Sequence, residues 1–292
     1  MIHYLKKLLK NFIYKKQILK SYDFFLNLIY RIKVRGIYDK KDNKIIEENK
    51  KNIFLKNNQI SQRIPIKDQF FYISKNIDSS NIYKIKINKF VGFEANHFLS
   101  GSDPLVETAR QILEEPNIKF YNTFLYEYFK NFRPKSLGEF YNLKLSNKLH
   151  SVKSTKEFRP WLNKYPRGFT AGFFGPKDDS SIKFRVIRLK NLVKNIKKYG
   201  YMPSNQDIIE GYILKNKKDY RFVVSAGHHR VSVMSIMHIL DKSLFKYLPV
   251  KFKAFPPSKL ISFNEEEILK WPAIKSNFLN VEDSLEMFNK FF

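Results

Sequence analysis

The sequence predicts an α+β fold, and three observations carry that prediction. Residues 81–91 alternate apolar and polar side chains, the period of a half-buried strand. Leu189, Leu192, Val193 and Ile196 recur at helical spacing ahead of Gly200, a helix with a glycine stop. Between residues 211 and 252, short β-rich runs at 211–214, 222–224 and 248–252 bracket a helix-like stretch at 231–240. The chain reads as four segments: a basic amphipathic arm at 1–35, a mixed, helix-rich region at 36–165, an α+β domain at 166–258 and a short helical tail at 259–292.

Each segment has its own pattern. In the arm, Leu5, Leu8, Leu9, Phe12 and Ile13 follow helical spacing, and Asp23 is the only acid among many Lys and Arg. That pattern suits a helix lying on an anionic membrane surface, or an ordinary helix packed on the body; it has no cleavage site of a secretory signal. Residues 36–62 are rich in Lys and Asn and read as a long connection. Asp103 followed by Pro104 is a helix start, with Asp as the N-cap and Pro in the first turn, and the helix should run to Leu113. Residues 121–132 hold six aromatics, a density that favours core over a stacking surface. Gly168, Gly172 and Gly175 make residues 167–179 a turn-rich linker, or alternatively a loop that brings Lys177, Asp178 and Asp179 towards a ligand. Ser262 and Glu265 are spaced as a capping box, and Val281, Leu285 and Phe288 mark the docking face of a last helix.

Composition bounds the chemistry. At 292 residues and 43% hydrophobic, the chain can fill one large domain or two small ones. It has no cysteine, which excludes disulfides and thiolate metal sites. No apolar run is long enough to cross a bilayer, so the expected location is cytoplasmic, peripheral on the inner membrane if the arm binds lipid. The formal charge of +27 suits nucleic acid. Much of it is lysine, however, in a chain also loaded with Asn, Ile, Phe and Tyr, all encoded by A/T-rich codons. Nucleic acid is therefore a less favoured partner than a small phosphorylated ligand.

Chemistry concentrates at residues 220–237. A β-rich run at Phe222, Val223 and Val224 meets small residues at Ser225, Ala226 and Gly227, then His228, His229 and Arg230 open a helix-like stretch. A strand–turn–helix junction aims free backbone N–H groups at one point and favours an anion. Gly227 permits close backbone approach, and His228, His229 and Arg230 add donors and charge, so phosphate is the expected guest. Adjacent histidines point about 100° apart on a helix, so a metal site built from them alone is not expected.

The order of helix, strand, Gly-His-His-Arg, helix and strand resembles the ParB/sulfiredoxin superfamily, over roughly residues 180–255. Sulfiredoxins place a catalytic cysteine where His228 stands, so sulfinic-acid reduction is excluded here. ParB proteins follow this domain with a DNA-reading helix-turn-helix that the remaining chain cannot hold. The resemblance then points to the nucleotide-using branches, which include CTP hydrolases and a free-serine kinase. Residues 124–129 and 132–136, Gly175-Pro176 and Trp271-Pro272 add a likeness to uncharacterised ParB-like proteins of surface-polysaccharide gene clusters. It implies a nucleoside triphosphate, ATP or CTP, with Mg²⁺ as candidate companion, bound at Gly227, His228, His229 and Arg230. Glu210 and Asp219, flanking the motif strand, are the candidate catalytic carboxylates for phosphotransfer or hydrolysis. The alternative is a non-enzymatic protein that binds nucleic acid or a partner.

If residues 1–35 bind membranes, a peptide of that segment should gain helicity on anionic vesicles and lose both helix and binding in high salt. A circular-dichroism titration with vesicles checks this, and no binding at low salt would return the arm to a packed helix.

Overall fold

The computed structural model describes residues 82–292, apart from 93, 102, 145, 153–157, 167–175, 202–207, 255–259 and 261. The chain divides into two units, Met1–Asp68 and Gln69–Phe292. The first unit lies outside the described residues, and the basic arm with it.

The second unit is mixed α+β, as expected, and is organised by one six-stranded sheet. Its strands are β1 (Tyr83–Lys86), β2 (Phe90–Val91), β3 (Ile209–Lys215), β4 (Tyr220–Ala226), β5 (Tyr247–Phe252) and β6 (Ser262–Asn264). The order is β1-β5-β3-β4-β2, with β6 also on β3. β3 and β4 form an antiparallel hairpin, β1 runs antiparallel to β5, and β2 runs parallel to β4. The sheet therefore takes strands from three of the four segments read from the sequence. The expected boundaries at 165 and 258 both fall inside one unit.

The alternating stretch at 81–91 is not one strand but two, joined by the single 3₁₀ turn Ile87–Lys89. β1 and β2 lie at opposite edges of the strand order, yet only four Cα steps separate Lys86 from Phe90. Four steps reach at most about 14 Å. The edges of a flat five-strand path would be about 19 Å apart at ~4.8 Å per strand. The sheet must curl until its two edges nearly meet. Aromatic rings mark the curl: Phe90 lies 5.1 Å from Phe222, Phe222 lies 5.9 Å from Phe252, and Phe252 lies 4.8 Å from Tyr83. The Phe222–Phe252 contact passes over β3 at Gly211, where the register also shifts. A Cβ on Gly211 would stand 2.2 Å from the Val223 carbonyl oxygen and 2.7 Å from the Phe222 ring.

Both faces of the sheet are covered, which is why its central strands read as unbroken apolar runs. Ile209, Ile213, Phe222 and Val224 pack in a core with α1 (Pro104–Glu114), α2 (Phe124–Asn131), α5 (Asp179–Tyr199) and α6 (His228–Leu240). Tyr212, Leu214 and Val223 pack in a second core. That core includes α3 (Leu137–Phe140), α4 (Asn147–Ser151), α7 (Pro272–Lys275), α8 (Val281–Asn289) and the loop carrying Trp161. α5 begins ten residues earlier than its apolar spacing suggested. Asp178 caps it by accepting from Ser181 N at 2.8 Å, and Gly200, at φ 74°, closes it. α6 is buried continuously from Val231 to Met237, a central helix without a polar face.

Two expectations at the C-terminal end are corrected. Ser262 and Glu265 form no capping box, because residues 262–264 are spent as β6 against Ile213, Leu214 and Lys215. α8 docks through Ser284, Met287 and Phe288, while Val281 is 37% exposed; the apolar face is rotated from the one read in sequence. The aromatics at 121–132 divide, with Phe129 in the core and Tyr121 and Phe124 exposed.

Gly211→Ala is expected to lower stability by at least about 2 kcal/mol, since the clash is with backbone as well as a core ring. Chemical denaturation of both proteins measures it, and an unchanged midpoint would refute the close crossing.

Candidate functional site

The parallel pairing of β2 with β4 decides where the chemistry lies. Phe90 is in register with Phe222 and Val91 with Val223, so both strands end at the same edge of the sheet. The loop after β2 and the turn after β4 must emerge side by side there. The first carries Glu94 and the second is Gly227, His228, His229 and Arg230. All four motif residues are thus brought to one place, together with a carboxylate that the sequence had not singled out.

The β2 loop is tightly turned. Gly92 N donates to Asn96 O at 2.8 Å and Ala95 N to Gly92 O at 3.2 Å, with Ala95 at φ 60°. A left-handed alanine costs about 1 kcal/mol, and this one directly follows Glu94. Burial, with the Asp103 charge in support, pushes the Glu94 carboxyl up to about 7, against the pull of Arg159 and Arg185. Asp103 caps α1 as expected, accepting from Leu105 N at 2.9 Å and Val106 N at 3.1 Å. Burial raises it to about 6, although these bonds and one with the Ser232 hydroxyl favour its charged form. Ser232 Oγ also lies 2.9 Å from the His228 carbonyl, so one hydroxyl proton is shared between the cap of α1 and the first turn of α6.

The start of α6 carries no side-chain cap. Gly227 is the N-cap, at φ 99°. Arg230 N and Val231 N both turn back to Gly227 O, at 2.9 and 3.0 Å. Burial and the guanidiniums of Arg159 and Arg185 hold His228 down at about 4, and its ring hydrogen-bonds the Val224 carbonyl. His229 is also held well below the ordinary histidine range, by burial and then by Arg188, Arg185, His228 and Arg230. Both rings are therefore neutral at pH 7. His229 Nε2 and the Ser225 hydroxyl are buried without a hydrogen-bond partner. A desolvated, unsatisfied polar atom costs about 1–3 kcal/mol, which a ligand would recover.

Arg159 and Arg185 come from opposite faces of the sheet. Arg159, 1% exposed, belongs to the loop before Trp161, and Arg185 projects from α5 over the Phe129 ring at 5.2 Å. Each acts on both Glu94 and His228. Tyr128 on α2 is raised by burial and then by the charges of Glu94 and Asp103, which places it on the same cluster.

The carboxylates expected from the sequence are arranged differently. Glu210 pairs with Ala226 across the hairpin, one residue from Gly227, but its carboxylate is turned to Lys253 at 3.9 Å, with the side chain 39% exposed. Asp219 sits at the other end of β4, about 25 Å from Gly227 along the strand. There it holds Lys89 at 2.5 Å and also pairs with Arg221, stapling the hairpin turn. Asp178 is consumed as the cap of α5 and Asp179 pairs with Lys130 at 2.6 Å. Residues 167–175 of the glycine-rich loop lie outside the described residues. Among the described residues no group of three His, Asp or Glu could hold a metal ion. No protein-family model, curated protein or solved structure matches the chain.

The raised Glu94 has a measurable consequence. Its folded pKa of about 7 lies above the ordinary 4.5, so its contribution is fully present below pH 4.5 and is lost as pH rises through 7. Glu94→Gln cannot ionise, and is expected to be about 2 kcal/mol more stable than the parent at pH 8. The gap should close near pH 5. Thermal melting of both proteins across that range tests it; a gap independent of pH would mean that Glu94 is not buried as an acid.

Proposed function

We propose that the chain is a ParB/sulfiredoxin-like protein that binds a nucleoside triphosphate at the start of α6 and transfers or hydrolyses its terminal phosphoryl group. The observation that carries this reading is the meeting of an uncapped helix N-terminus with a raised carboxyl, between two arginines that act on both. The helix N–H groups, with Gly227 leaving the backbone open, would hold phosphate oxygens, and Arg159, Arg185 and Arg230 would supply the charge. Neutral His229 would donate one hydrogen bond from its unpartnered Nε2, whereas the single ring proton of His228 is already given to the Val224 carbonyl.

Glu94 is the better placed catalytic carboxylate than Glu210 or Asp219. A carboxyl poised near pH 7 by burial suits a general base. It would take the proton of the acceptor hydroxyl, water or an alcohol, as the oxygen–phosphorus bond forms and the bond to the departing diphosphate breaks. Mg²⁺ would arrive on the phosphates and neutralise their charge. ATP and CTP are the first candidates, and the likeness to proteins of surface-polysaccharide clusters suggests an acceptor from that chemistry.

Calorimetry with a panel of nucleotides, followed by phosphate-release assays, tests the reading. Arg230→Ala is expected to weaken nucleotide binding by about 1.5–3 kcal/mol. Glu94→Gln should leave binding within a few-fold and abolish turnover, and in the parent protein turnover should rise through pH 7 as Glu94 ionises. Gly227→Val is a poor probe, because φ 99° and Ile209, 3.1 Å from an added Cβ, make any side chain there a folding defect. If no nucleotide binds, or Arg230→Ala lowers the melting temperature and nothing else, the junction is structural.

A further inference from the structure

A second feature lies on the outer side of α5. Lys183, Ile187, Lys190, Lys194 and Lys197 follow one another at spacings of four and three, a single stripe about 21 Å long. Asp179, in the first turn, is the only acid of this helix. Ile187 is 46% exposed in the middle of the stripe. Residues 118–124 run alongside: Lys190 Nζ donates to Ile118 O at 2.6 Å and Lys183 Nζ lies 5.9 Å from the Phe120 ring centroid. That segment leaves Tyr121 48% and Phe124 39% exposed. Where α5 meets the end of α1, a cavity of about 430 Å³ is lined by Ile112, Leu113 and Val193 together with Lys190, Lys194 and Lys197.

We propose that this face docks on an anionic lipid surface, with the lysines on headgroups and Ile187 and Tyr121 entering the interfacial layer. Charge complementarity selects an anionic partner, and the exposed aliphatic Ile187 at the centre of the stripe selects lipid over nucleic acid. An aliphatic Ile187 neither stacks on a base nor bonds a phosphate, whereas at a bilayer interface it is buried with gain. Lysines snorkel, keeping their charge at the headgroups while their stems cover apolar surface. The arginines of the same helix, Arg185 and Arg188, act instead on the histidines at the start of α6. The cavity offers an apolar recess ringed by positive charge, the shape of an anionic amphiphile. This surface is made by residues of α1, α5 and the 118–124 segment, and it does not rest on the nucleotide reading.

The test uses the full chain and vesicles of phosphatidylcholine with about 30% phosphatidylserine, at about 0.1 M salt. The protein should sediment with these vesicles and not with neutral ones. Lys194→Glu with Lys197→Glu should weaken binding by about tenfold or more, since each lysine near such a surface contributes roughly fivefold. Ile187→Ser should weaken it by about threefold and leave binding to a ~20-bp duplex DNA unchanged. Unaltered melting temperatures show that each variant is folded. The proposal is overturned if the parent protein does not bind anionic vesicles, or if both variants bind them as the parent does, placing the affinity elsewhere in the chain. It is also overturned if duplex DNA is bound more tightly than vesicles and Ile187→Ser affects neither.

Discussion

The described structure depends on how the sheet closes. Three residues, Ile87–Lys89, carry the chain from one edge of the strand order to the other, and this is possible only because the sheet curls. The curl in turn requires Phe222 to reach Phe252 across β3, and Gly211 is the residue that lets it pass. Closure places β2 beside β4 in parallel. A parallel pair sends both following loops to the same edge, so the Glu94 turn and the Gly227 turn become neighbours although 133 positions separate them. Ligands of α/β proteins gather at the carboxyl ends of parallel strands for the same topological reason.

At that edge the electrostatics are balanced in an uncommon way. Two carboxyls and several arginines share a buried volume, and neither set neutralises the other fully. Burial and mutual repulsion hold Glu94 near neutrality, and the same burial, with the arginines, strips both histidines of their protons. A fully paired network would leave Glu94 depressed by its arginines, the usual outcome of a carboxylate beside a guanidinium. Here burial outweighs that pull. Residual positive potential and unspent hydrogen-bond donors at a helix start are what an incoming phosphate would complete. The left-handed Ala95 fits the same picture, since backbone strain gathers where a side chain must be aimed.

Local features of the fold were legible in the sequence because they are written in adjacent residues. Asp103 with Pro104 gave the start of α1, and the run Phe222 to Gly227 gave a strand leading into a helix. What depends on pairing was not legible. The stretch at 81–91 alternates like one strand, and nothing in it says that its two ends serve opposite edges. Ser262 to Glu265 has the spacing of a capping box, and only its partner β3 turns it into a strand. Glu94 escaped for the same reason: its neighbours in sequence are unremarkable, and the groups that act on it come from the cap of α1, from α2, α5 and the Arg159 loop. Glu210 and Asp219 drew notice through closeness in sequence to the motif, but a seven-residue strand carries Asp219 to the far end of the sheet.

The excess of positive charge also takes on a different meaning once it is placed. Composition alone cannot separate selected lysines from those that accompany an A/T-rich codon usage. α5 separates two kinds of cation along one helix. Arg185 and Arg188 serve the buried cluster, where a planar guanidinium can hold several partners at once and is less costly to desolvate than an ammonium. The lysines occupy the outer stripe, Lys190 bonded to the Ile118 carbonyl and Lys194 and Lys197 exposed, where a hydrated point charge sits on a flexible stem. Codon bias explains an abundance of lysine, but not the exposed isoleucine within the lysine stripe or the exposed rings beside it. Burying those apolar groups against a partner would recover hydration free energy that an isolated domain forgoes. The three exposed apolar side chains are therefore what a partner at this surface would cover, and the lysines around them set the sign of its charge.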